Sequence, residues 1–138
     1  MISAQSSTAR IATMMLVDDN DFDQVMYKRI IGRSGLVDTL LQFLSAREAL
    51  DYLQNGTHPL PDVVLLDINM PGMNGFDFLL EATDSLGARM CPVVIMLTTS
   101  LNPADEAQAS SFDIVKGFYT KPLANDMLET ILQTLPLE

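Results

Sequence analysis

Short runs of consecutive apolar residues alternate along this chain with segments whose apolar residues recur every three or four positions. The first pattern suits a strand buried on both faces, and the second suits an amphipathic helix. Residues 12–17 (ATMMLV) form the first apolar run, which stops abruptly at Asp18, Asp19, Asn20 and Asp21. Phe22, Val25, Met26, Ile30 and Ile31 then recur at helical spacing until Gly32 and Gly35 interrupt them. Residues 36–44 read as a weaker strand with polar interruptions, as expected nearer a sheet edge. The tetrapeptide SARE (45–48) has the form of a capping box. It opens a helix with Ala46, Ala49, Leu50 and Leu53 on one face, closed near Asn55-Gly56. A third strand, VVLLD, ends in Asp67, and the loop INMPGMNG leads to a helical stripe of Phe76, Leu79, Leu80 and Leu86. Pro92 introduces VVIMLT, the fourth strand. Asn102-Pro103 is an N-cap with proline at the first helical position, starting a short alanine-rich helix. Residues 114–120 make a fifth strand, and Asn125 caps a last helix bearing Leu128, Ile131, Leu132 and Leu135.

Five strand–helix units in this order predict an α/β domain: a doubly wound, five-stranded parallel sheet with helices on both faces. The domain is expected over residues 11–138, after a flexible N-terminal extension, 1–10. Sheets of this kind bind ligands at the carboxyl ends of their strands, so the residues there are the candidates for chemistry. Asp18-Asp19 end the first strand, Asp67 the third, Thr98-Thr99 the fourth and Lys121-Pro122 the fifth. Three carboxylates, two hydroxyls and a lysine therefore collect at one edge. Carboxylates at close quarters repel one another, and a divalent cation removes that cost. Oxygen ligands without His or Cys favour a hard ion, and the D-x-D-x-D-G spacing of a calcium loop is absent. A few carboxylates with room for water suit magnesium, for which manganese can substitute, and magnesium brings phosphate chemistry forward as the task.

Composition narrows the classes further. A chain of 138 residues, 48% of them hydrophobic, suits one domain with a real core. Its net charge of −10 argues against nucleic acid or an anionic membrane as a partner, since both are anions. The lone Cys91 cannot pair within the chain and is expected to be a small buried hydrophobe in a reduced compartment. No apolar run reaches the length of a spanning helix, and the first ten residues lack the apolar stretch of a signal peptide, so a cytoplasmic location is expected. His58, the only histidine, is expected to be a solvated loop residue, and most of the nine methionines to be core.

The segments LVDDN (16–20), VVLLDINMPGMNG (63–75), IMLTTS (95–100) and FYTKPL (118–123) resemble, in order and spacing, the receiver domain of bacterial two-component response regulators of the stand-alone chemotaxis type. That resemblance implies a flavodoxin-like sheet of order 2-1-3-4-5 with five helices. It implies that Asp67 accepts a phosphoryl group from a phosphohistidine. Asp18 and Asp19 would form an acidic pocket, with Asp19 a direct magnesium ligand and Asp18 acting largely through water. Asp67 and the backbone carbonyl of Asn69 would complete the metal's protein ligands. Lys121 would pair with the phosphoryl oxygens, Thr98 would donate its hydroxyl to one of them, and Thr98 with Phe118 would form the switch. The implied partners are a sensor histidine kinase or histidine phosphotransfer protein upstream. Downstream, a protein would bind the face of the fourth helix, fifth strand and fifth helix, or the phosphoryl group would pass on along a relay. Ala104, Ala107, Gln108, Tyr119 and Met127 are the candidates for that face. Such a chain catalyses its own phosphorylation and dephosphorylation and turns over no external substrate.

The chain departs from the family pattern at Phe118, where tyrosine is common, at Thr99, where a smaller residue is usual, and at Asn74, where aspartate is most frequent. Two other classes use related architecture. A magnesium-dependent phosphatase of haloacid dehalogenase type also carries an aspartate nucleophile at a strand end, but wants a second acid two residues later, where Asn69 stands. A flavodoxin-like electron carrier wants a Ser/Thr/Gly-rich loop after the first strand, where Asp-Asp-Asn-Asp stands.

Overall fold

The computed structural model describes residues 9–87 and 92–135 of the chain. Most of the expected N-terminal extension (1–8) and Cys91 lie outside the described residues. Ten elements alternate along the chain. They are β1 (Ile11–Val17), α1 (Asp21–Ser34), β2 (Val37–Phe43), α2 (Ala46–Gln54) and β3 (Val63–Leu66), then α3 (Gly75–Leu86), β4 (Val93–Thr98), α4 (Pro103–Ser110), β5 (Val115–Thr120) and α5 (Asn125–Thr134). The strands form one sheet in the order β2-β1-β3-β4-β5, with every pairing parallel.

Successive side chains of a strand point to opposite faces, so a strand covered on both sides must be apolar throughout. In β1, Met14 and Leu16 face one layer, and Met15 and Val17 the other; Val63 and Leu65 oppose Val64 and Leu66 in the same way in β3. The first layer is closed by Tyr27 and Ile31 of α1 and by Leu128 and Ile131 of α5. The second is closed by Ala49, Leu50 and Leu53 of α2 and by Phe76, Phe78 and Leu79 of α3, with Ala109 of α4. All four residues of β3 are fully buried.

Asn102 caps α4 as expected and the Ser45 half of the SARE box is formed, whereas the cap expected at Asn125 is corrected and the caps at Asn20 and Asn74 come from the structure. The side chains of Asn20, Ser45 and Asn102 accept from the backbone N–H of Asp23, Glu48 and Ala104, and Asn74 with Asp77 forms a complete capping box. The α5 cap is Ala124, with no side-chain cap bond, and Asn125 is the first helical residue instead. Gly32 does not interrupt α1, which runs on to a left-handed Gly35 at φ 70°.

The apolar stripe read for α1 is also corrected. Phe22 and Val25 are 71% and 61% exposed, and the buried face is Gln24, Tyr27 and Ile31. Gln24 is buried because its amide donates to the carbonyls of Asp18 (2.9 Å) and Phe43 (2.8 Å). Its Oε1 accepts from Gln42. A buried amide is tolerated only when it is paired in this way. On α3, Leu80 is exposed and Phe78 takes the buried place beside Leu79. Ile114 precedes β5, buried, with its carbonyl accepting from the backbone N–H of Val94.

Candidate functional site

The sheet register brings the strand ends together. Val17 pairs with Leu66, and Leu66 with Met96, so Asp18 and Asp67 leave adjacent strands at one level. Thr98 pairs with Thr120, and the backbone N–H of Lys121 donates to the Thr98 carbonyl at 2.9 Å. Asp18, Asp67 and Thr98 are buried, Asp19 is exposed, and Asn69 lies exposed in the loop after β3.

Asp18, Asp19 and Asp67 each offer a carboxylate oxygen within 4.8 Å of the others. The Lys121 ammonium reaches Asp18 Oδ2 at 2.6 Å, Asp23 Oδ2 at 2.8 Å and Asp67 Oδ2 at 3.1 Å. The second oxygen of Asp67 accepts from the Ile68 backbone N–H at 2.7 Å, and that of Asp18 from the Asn20 N–H at 2.9 Å. Burial pushes the Asp18 carboxyl above its usual range against the pull of Lys121 and the Asn20 N–H, and the charge of Asp67 adds to the rise. Burial works against the Lys121 charge too. Hydrogen bonds that it donates to Asp18 and Asp23, with the charge of Asp67, outweigh it and raise its pKa above the ordinary lysine value.

Phe118 and Tyr119 point to opposite sides of β5: Phe118 packs on the α2–α3 layer and Tyr119, half-buried, on the α1–α5 layer. A cleft of about 220 Å³ between the β4–α4 loop and β5 has Phe118, Leu101 and Pro103 on its wall. Of the face residues read from the sequence, Ala104, Ala107 and Gln108 are exposed and Met127 is half-buried. His58 is exposed in its loop, as expected, and its ring stacks on Tyr52 with centroids 4.3 Å apart.

Two contributors escaped the sequence reading. Asp23 joins the Lys121 cluster from α1, 98 positions away, and no local spacing announces that contact. Gly75 is the other. A Cβ there would stand 2.5 Å from the Asp67 carbonyl oxygen, so only glycine lets α3 start against the loop that carries Asp67. Its N–H donates to the Ile68 carbonyl at 2.8 Å. The glycine that ends the PGMNG segment was a visible signal for a close approach of this kind.

Comparison with known proteins agrees with the fold. Residues 14–133 match the family model described as the response regulator receiver domain. The chain is 31% identical over 125 residues to a probable methanogenesis regulatory protein, FilR2, from Methanothrix harundinacea, covering 88% of this chain and 79% of that protein. It is 29% identical over 125 residues to protein PilH from Pseudomonas aeruginosa, covering 91% and 95%. Other matched proteins are much longer, and the chain spans 14% of one sensor histidine kinase. Among solved structures, a two-component response regulator from Cytophaga hutchinsonii superimposes with a TM-score of 0.79 at 27% identity, covering 91% of this chain and 96% of that one. The phosphatase alternative finds no support among these matches.

Proposed function

The chain belongs to the response regulator receiver domain family, and from that premise we propose that it is a phospho-acceptor switch whose acceptor is Asp67. One observation carries the assignment. The Asp67 carboxylate ends a fully buried strand, lies 3.1 Å from the Lys121 ammonium, and shares a 4.8 Å cluster with Asp18 and Asp19.

The donor set fits magnesium. All three side chains offer oxygen, one of them is exposed for solvent access, and burial, with a smaller contribution from the charge of Asp67, raises the pKa of Asp18, a cost to its charged form that a cation offsets. Asp18, Asp19 and Asp67 would hold the ion with the Asn69 carbonyl, Asp19 directly and Asp18 through water. A bound ion supplies positive charge to the phosphoryl oxygens. The chain's own residues do the rest. An Asp67 oxygen attacks phosphorus as the P–N bond of a phosphohistidine breaks, and the imidazole keeps the electron pair. Lys121 neutralises the phosphoryl oxygens, and positioning with electrostatics accounts for most of the acceleration. Receiver domains generally turn over no external substrate, and this one is proposed to modify only itself.

The donor is proposed to be a sensor histidine kinase or a histidine phosphotransfer protein, and the setting cytoplasmic. Among the described residues no helix is long and apolar enough to cross a membrane. Output is proposed through the face of α4, β5 and α5, without a nucleic-acid or membrane partner, or through onward transfer. Phosphoryl oxygens drawing the Thr98 hydroxyl inward would open space for Phe118, which already lines the cleft beside the β4–α4 loop.

Mass spectrometry after incubation with acetyl phosphate and magnesium tests this reading. A single phosphoryl group on Asp67 is expected, and a phosphoryl group on another residue overturns it. Asp19→Asn should weaken magnesium binding about tenfold or more, since it removes a charged ligand (about 1.4 kcal/mol per factor of ten).

A further inference from the structure

We infer that Asp23 is a positioning residue for Lys121: it anchors the ammonium beside Asp67 when the other two carboxylates turn to metal and phosphoryl group. This rests on the phospho-acceptor reading and goes one residue beyond it. An ammonium has three N–H donors. Here three carboxylates stand within reach of them, Asp18 at 2.6 Å, Asp23 at 2.8 Å and Asp67 at 3.1 Å. Asp18 and Asp67 belong to the cluster that can hold a cation, and Asp23 is not one of the three carboxylates in it. Once a cation binds that cluster and Asp67 carries the phosphoryl group as an acyl phosphate, the oxygens of Asp18 and Asp67 have other partners. Asp23 is then the carboxylate left to hold Nζ, at the tip of a flexible four-carbon stem.

The anchor is itself fixed. Asp23 sits in the first turn of α1, with its backbone N–H held by the Asn20 cap at 2.9 Å. The next residue, Gln24, is buried and bonded to the carbonyls that end β1 and β2. The turn carrying Asp23 is thus tied to the strand ends that carry the reacting groups. The Asp23 side chain is 18% exposed, against 2% for Asp18 and 8% for Asp67, so it stands on the open side of the lysine. Lys121 is held between a reacting carboxylate below and a non-reacting one at the rim.

Phosphorylation of the full chain by acetyl phosphate, followed as a function of donor and magnesium concentrations, tests the assignment. Asp23→Ala is expected to lower the rate at saturating donor on the order of tenfold. Magnesium affinity should stay within about twofold, because no ligand is lost. Asp23→Asn, which keeps an oxygen acceptor for Nζ, should recover most of the rate. In a Lys121→Ala background, Asp23→Ala should add no further loss, since residues that act through one another are not additive. Asp23→Ser, compatible with a helix N-terminus but too short to reach Nζ, serves if the alanine variant fails to fold. Wild-type rates in Asp23→Ala, magnesium affinity falling in step with rate, or a further loss on top of Lys121→Ala would each overturn the inference alone. A wild-type chain that takes up no phosphoryl group overturns the Asp67 reading and this inference with it.

Discussion

Asp18, Asp67 and Thr98 end the three central strands, and all three are buried. Phe118 lies in β5, an edge strand whose residues are half-buried or exposed throughout, and Lys121 follows directly after it with its side chain only 9% exposed. The two halves of the site therefore differ in how firmly they are held. The acidic half hangs on strands paired on both sides: the Asp67 N–H donates to the Val17 carbonyl at 3.1 Å and the Asp18 N–H to that of Phe43 at 3.1 Å. The edge half, through which the response is proposed to pass, is paired on one side only and opens on a cleft. A receiver domain needs that division, because chemistry requires fixed geometry while signalling requires an element with two arrangements.

Removing the proposed acceptor is the harshest test of the acidic half. Asp67→Asn should abolish phosphate uptake by mass spectrometry while the circular dichroism spectrum stays that of the wild type, because asparagine keeps the shape and can still accept from the Ile68 N–H. Uptake at undiminished level would move the acceptor elsewhere.

A stability comparison on α1 comes next in size, and it separates the residues that pack from those that merely look apolar. Tyr27→Ala should destabilise by about 3–5 kcal/mol, as large aromatic truncations in cores do, since Tyr27 is 1% exposed between α1 and the sheet. Phe22→Ala should shift stability by no more than about 0.5 kcal/mol. Denaturant midpoints of the two variants check both. The pair also marks where the sequence could be read and where it could not. Runs such as VVLL and VVIMLT announce central strands because burial on both faces leaves no polar position, and the polar residues that end them are legible for the same reason. The α1 face differs from its apolar stripe because one of its three buried members is Gln24, whose amide is satisfied by carbonyls at two strand ends, a tertiary fact invisible to periodicity. Asp23 was missed likewise: its partner Lys121 is 98 positions away.

The edge half is tested at Phe118. Coupling between two sites is typically about 1–3 kcal/mol, or 5- to 150-fold in affinity. Phe118→Ala should leave Asp67 phosphorylation nearly intact and remove most of the phosphorylation-dependent gain in partner affinity, together with the accompanying shifts of α4 and β5 amide signals. A variant that is phosphorylated and keeps the full gain reduces Phe118 to packing and places the coupling elsewhere along the edge.

The smallest expected effect is the pH dependence of the tie between the halves. Lys121 bridges β5 to the acidic strand ends, and its folded-state pKa is raised because the bonds to Asp18 and Asp23 outweigh burial. A lysine whose pKa rises on folding stabilises the fold fully below its unfolded value, about 10.4, and loses that contribution as pH climbs through the folded value. The stability difference between the wild type and Lys121→Gln should therefore be flat from neutral pH to about pH 10 and shrink above it. Measuring the difference between the two proteins at each pH cancels the titration of groups they share. A difference that instead shrinks between pH 6 and 8 would mean that Lys121 contributes through a neighbour's titration, and that the edge strand is held to the central ones by something other than its charge.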